Sequence, residues 1–250
     1  MTSRTIVLLL FVATSAAAQI EIDTLPSGPD ALERRFSSGM TNGKTSWGSG
    51  VVTAADLSIP AKARKEFDKA LEALGKQDLT RARRELNKAV VIDPAFSVAY
   101  NNMAVVCARL GDKACEREAL EKAIDLNGHF ELAYVNWGRM SLASSDFAGA
   151  EKALERAANL EPKDGAAMVL LAYSEFMQGH LADSIRTSET AHNSGEPHAF
   201  AHRVAARAYE RQNQFGRALA ELELFLQENP TGPLADTARQ ELATVQSAAR

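Results

Sequence analysis

The chain has 250 residues, of which 46% are hydrophobic and only 6% aromatic, so it can bury a sizeable core that is poor in large rings. Leucine and alanine dominate, which favours helices that approach one another closely. The formal net charge of −4 excludes a global basic field able to hold nucleic acid, and no nucleic-acid partner is expected.

Residues 1–18 read as an export signal. Arg4 supplies the positive start, Ile6 to Ala13 an apolar stretch, and Ala16-Ala17-Ala18 a small-residue cleavage site before Gln19. An apolar run this short cannot cross a hydrocarbon core of about 30 Å as a helix, so the mature chain is expected to have no membrane span. The expected location is periplasmic or secreted, in a bacterial cell.

Residues 19–59 read as an extended, flexible tether. Serine, threonine and glycine crowd the segment from Ser37 to Gly50 and no helical period survives there, while Val51 to Leu57 could lie on the first helices. Gly39 to Thr45 imitates a phosphate-binding loop, but the first glycine of that pattern belongs at Ser38, and no strand precedes it. It is read as linker.

From residue 60 onward a fixed step governs the chain. Pro94, Gly128, Pro162, Glu196 (beside Pro197) and Pro230 are 34 residues apart. Ala89, Ala123, Ala157, Ala191 and Phe225 lie five residues before those marks. A constant period means one small unit copied end to end. Within each block apolar residues recur at three- and four-residue steps, break at a turn, and resume, which predicts two helices per block. The third block shows the pattern: Tyr134, Trp137, Gly138 and Ser141 form one stripe, and Ala150, Leu154 and Ala157 form the facing one.

These residues resemble the tetratricopeptide repeat, whose bulky–bulky–small–bulky, turn, small–bulky–small, proline signature they follow. The departures are Glu116 and Ser184 at small positions, Ser188 at a bulky one, and Glu66 where the first block lacks its leading aromatic. The resemblance implies an all-α fold, a right-handed α-α superhelix, with five repeats over residues 60–230. A capping helix over 231–250 is expected to cover the last apolar face, opening at Thr231 or Asp236 and burying Leu234, Ala238, Leu242 and Val245.

The resemblance also implies a concave wall, lined by the first helix of each pair, that binds an extended peptide or another protein. Its residues would be Phe67 and Leu71, then Asn101, Asn102, Val105 and Arg109, then Val135, Asn136, Arg139 and Leu142. Val169, Tyr173, Phe176 and Met177 follow, and finally Arg203, Arg207 and Arg211. Asn102 and Asn136 match positions where an amide pairs with a ligand's main chain; a bond tying neighbouring repeats together is the other reading. The three arginines step by four along one face and suit an acidic or carboxylate-bearing peptide, unless nearby acids such as Glu210 neutralise them. Met168 to Met177 is apolar nearly all round, so something is expected to cover Tyr173, Phe176 and Met177. Self-association into homo-oligomers through that helix is the alternative function.

The two cysteines, Cys107 and Cys115, flank the Gly111 turn. A disulfide there and two unjoined core residues are both compatible with the spacing. His198 and His202 are four apart, with His192 and Glu196 upstream, but a structural site needs four ligands and a catalytic one three plus water, and nothing forces His192 inward, so solvated histidines are expected and no metal. No catalytic set and no cofactor site can be placed, and the chain is read as a non-enzymatic interaction protein.

Overall fold

The computed structural model describes residues 59–194 and 198–249. The signal-like segment, the tether to residue 58 with its Gly39–Thr45 and Val51–Leu57 stretches, and the Glu196–Pro197 mark lie outside the described residues. Among the described residues there are eleven helices and no strand. They are α1 Ala61–Gly75, α2 Leu79–Ile92, α3 Ser97–Arg109, α4 Lys113–Leu126, α5 Glu131–Ala143 and α6 Phe147–Leu160. Then come α7 Gly165–Gln178, α8 Leu181–His192, α9 Ala199–Arg211, α10 Phe215–Glu228 and α11 Pro233–Ala248. The all-helical fold expected from the 34-residue step is the one observed.

The chain divides into two compact units along a line through α5 and α6. The described part of one holds residues 59–140 with Lys152–Pro162, and there α1 packs on α2, α2 on α3 and α3 on α4. The other holds Ser141–Glu151 and the described residues from 163 onward, and there α7 packs on α8 and α9, α8 on α9, α9 on α10 and α10 on α11.

The period has a backbone cause. Gln77, Gly111, Ser145, Gly179 and Asn213 all have positive φ, between 57° and 83°, and each closes the turn between the two helices of a pair. Only Gly111 and Gly179 adopt this left-handed geometry without a Cβ penalty. The next residue opens the second helix. Asp78, Asp112 and Asp146 each accept the backbone N–H three residues on, at 2.9, 3.1 and 3.0 Å, satisfying one donor the helix start would otherwise leave bare. In the last two pairs His180 and Gln214 hold that position and make no side-chain cap.

Packing repeats at the same step. Ala70, Ala104, Gly138, Ala172 and Ala206 are the buried small residues of the first helices. Leu86, Leu120, Leu154 and Leu222 are buried in the second helices, with Ser188 at the equivalent place in α8. A Cβ added to Gly138 would lie 2.5 Å from Leu154 Cγ, so this glycine lets α5 and α6 come together. In α8, the buried Ser184 donates its hydroxyl to the Ala172 carbonyl at 2.7 Å, joining α8 to α7 by a hydrogen bond where an alanine would make apolar contact.

The first block differs from expectation at Phe67. Placed on the groove wall by sequence, it is buried, with its ring 4.9 Å from that of Phe96, and supplies the aromatic that Glu66 does not. At the other end α11 begins at Pro233, after Gly232 at φ 96°. Proline's fixed φ suits the first helical position better than either start expected from sequence. Ala235, Ala238 and Val245 are its buried residues, while Leu234 and Leu242 are half-buried. No described helix is long and apolar enough to cross a membrane.

Candidate functional site

In the unit containing α3 and α5, the predicted wall residues Asn101, Asn102, Val135 and Asn136 are buried, and Val105, Arg109 and Arg139 are half-buried. Asn136 Nδ2 donates to Asn101 Oδ1 at 2.9 Å, a bond between residues 35 apart that ties the two helices together. Asn102 Nδ2 donates to the Val98 carbonyl of its own helix at 2.8 Å. Of the two readings for Asn136, the structure displays the inter-helix tie. Asn101 Nδ2 and Asn102 Oδ1 are left buried without a hydrogen-bond partner. Cys107 and Cys115 are joined, with Cα atoms 5.8 Å apart, and link α3 to α4 beside this wall. Glu116, at a position meant for a small residue, is half-buried; burial pushes its carboxyl up against the pull of Lys113 and Arg139.

In the other unit, Leu142, Val169, Tyr173 and Phe176 are buried and Met177 is half-buried. Phe176 has a visible cover. The Arg211 guanidinium lies 4.1 Å from its ring centroid and donates Nη1–H to the Phe176 carbonyl at 3.1 Å. Tyr173 and Phe176 are 2% and 6% exposed, so they present no free apolar face for self-association.

Of the two readings of the arginine row, the structure displays neutralisation by a nearby acid for Arg203 and Arg207. Arg203 is 2% exposed, and its Nε and Nη2 reach both carboxylate oxygens of Glu241 at 3.0 and 2.9 Å. Arg207 Nη2 donates to the same carboxylate at 2.6 Å. A buried guanidinium needs such a partner, and α11 supplies it; Glu210, the acid suspected from sequence, is exposed. Burial opposes charge on Glu241, but the Arg203 hydrogen bond and the two positive charges outweigh it and hold its carboxyl below the ordinary value. Two guanidiniums share this one carboxylate, Arg203 buried and Arg207 half-buried, while Arg211 is exposed.

Glu175 is buried on α7 and accepts from Thr187 Oγ1 at 3.2 Å. Burial pushes its carboxyl up to about 7 against that bond, with the charges of Glu151 and Asp183 adding to the rise.

The histidines also depart from expectation. His202 is buried rather than solvated, and its ring lies 4.4 Å from that of His192. Both sit near Glu228 at the end of α10, while His198 stands over Gly165, apart from them. Glu221, Glu228 and Glu241 are the residues that reading the sequence missed. A weak signal existed. In an up-down helix series the end of α8, the start of α9 and the end of α10 fall at one end, and they carry His192, His202 and Glu228.

Tetratricopeptide-repeat family models match residues 97–130 and 136–192, so repeats of this type are present over those spans. No curated protein matches the chain. Among solved structures the chain is similar to the pilF protein of Pseudomonas aeruginosa, at 18% identity and TM-score 0.65, over 78% of this chain and 87% of that one. It is also similar to MamA of Desulfovibrio magneticus RS-1, at 17% identity and TM-score 0.64, over 70% of this chain and 99% of that one. A third is YrrB, at 20% identity and TM-score 0.62, over 76% of this chain and all of that one. At these identities the likeness establishes the tetratricopeptide-type helical fold.

Proposed function

We propose that the protein is a non-catalytic scaffold that binds a partner protein or extended peptide along the first helices of its repeats. The observation that carries this reading is the cluster in which Arg203 and Arg207 share Glu241, with the exposed Arg211 against the apolar α7. The exposed Arg211 guanidinium against α7 suits a chain segment that is both apolar and acidic, or one ending in a free carboxylate. YrrB, one of the similar folds, is described as a tetratricopeptide protein with an unusual peptide-binding site, which favours the same class of ligand here.

The chain acts outside the cytoplasm in this proposal, exported through residues 1–18. The joined Cys107 and Cys115 support an oxidising compartment. Arg211→Glu and Met177→Arg should each abolish partner recovery from an envelope extract, while Val91→Glu, on the 78% exposed Val91 of α2, should leave it intact. Equal recovery by all three would rule out this face. For export, the mature protein should start at Gln19 in the periplasmic or secreted fraction; a chain retaining Met1 in the cytoplasm would contradict it.

A further inference from the structure

We propose that His192, His202 and Glu228 form a binding site for a divalent transition-metal ion of the zinc type, separate from the peptide-binding face. One ligand atom from each residue lies within 4.8 Å of the other two. Glu228 Oε1 is 3.8 Å from His192 Nδ1 and 3.8 Å from His202 Nε2. At that separation neither pair is a hydrogen bond, and both ring nitrogens are buried without any partner. Two ring nitrogens and a carboxylate oxygen therefore converge within 4.8 Å of one another without a hydrogen bond between them.

The surroundings choose the tautomer that a metal needs. His202 Nδ1 lies 2.7 Å from Glu221 Oε2. An ionised carboxylate can only accept, so the ring proton sits on Nδ1 and the Nε2 lone pair is left facing His192 and Glu228. A carboxylate fixing a metal-binding imidazole from behind in this way orients the ring and raises its basicity. A dication bound between His192, His202 and Glu228 would satisfy all three ligand atoms at once.

Size and chemistry fit the same group of ions. Tetrahedral zinc with bonds of about 2.0–2.2 Å places its ligand atoms roughly 3.4 Å apart, so the observed spacing closes by small side-chain rotations. His192 and Glu228 are the last residues of α8 and α10, where rotamers are least constrained, and His202 is already held by Glu221. Two imidazoles and one carboxylate suit zinc, nickel or copper over calcium or magnesium, which take oxygen ligands. Three protein ligands leave a coordination position for water.

The test uses the purified full-length chain, stripped with a chelator and titrated with zinc chloride alone by calorimetry, with bound metal counted by mass spectrometry. One zinc per chain is expected. His192→Ala and Glu228→Gln should each lose it, and Glu221→Gln should weaken binding roughly ten- to a hundred-fold with helical content unchanged. Cobalt in place of zinc should give the visible absorption of a four-coordinate site in the native chain and not in Glu228→Gln. The proposal is overturned if the native chain takes up no zinc, or if His192→Ala and Glu228→Gln bind it as the native chain does.

Discussion

An added methyl at Gly138 would meet Leu154 Cγ at 2.5 Å, and Leu154 has no exposed surface into which it could retreat. Gly138→Ala should therefore lower stability by about 1–3 kcal/mol, read as a drop in the thermal midpoint by circular dichroism. An unchanged midpoint would mean that α5 and α6 have slack at this contact. Ser188 poses the opposite case, because its hydroxyl is buried without a partner where Leu86, Leu120, Leu154 and Leu222 pack in the other pairs. Ser188→Ala should raise stability by up to about 1 kcal/mol, since an unsatisfied buried hydroxyl is removed. Both sites were legible from sequence as a small residue and a departure from the period. The partner of Gly138 was not, because a period marks which residues face inward and not which atoms meet. The left-handed residues at Gln77, Ser145 and Asn213 escaped for a similar reason: their side chains carry no turn signal as strong as glycine's.

Among the elements, α11 does more than cover an apolar end. Its Glu241 pairs with the buried Arg203, so Glu241→Gln should destabilise by about 2–4 kcal/mol, the cost of weakening the charge-assisted bonds of a buried guanidinium. Changing both residues to methionine should recover most of that loss in a denaturant titration; no recovery would place the effect elsewhere. Helix α7 carries a charge problem of the opposite kind. Glu175 titrates near 7 in the folded chain against an ordinary value of 4.5. The folded state then holds a proton that the unfolded state has released, so stability falls as pH rises from 4.5 to about 7 and is level above that. Glu175→Gln should remove this decline and leave the variant about 1–3 kcal/mol more stable than the native chain at pH 8. Parallel pH profiles of the two proteins would contradict the assignment. Helix boundaries were legible because prolines and small residues punctuate each block. The Arg203–Glu241 bond was not, since its partners are 38 residues apart on helices of different blocks and no local spacing announces them.

For the whole chain, the 34-residue step predicted the fold because each helix pair must bury its apolar stripe against another, and both units contain such pairs. The binding wall was less legible. Sequence left both a ligand and an internal partner open for the three arginines and for Asn102 and Asn136, and hydrogen bonds commit Arg203, Arg207 and Asn136 to partners within the chain. Asn102 bonds its own helix and keeps only its carbonyl unpaired. What remains for a partner in the unit that contains α7 is the half-buried Met177 together with the exposed Arg211. The most direct test puts a photoreactive side chain at Met177 in one preparation and at the 40% exposed Leu224 of α10 in another, and irradiates each with envelope proteins of the source cell. The account predicts a discrete crosslinked partner from position 177, suppressed by an acidic apolar peptide, and none from position 224. The same adducts from both positions, or none from either, would contradict it.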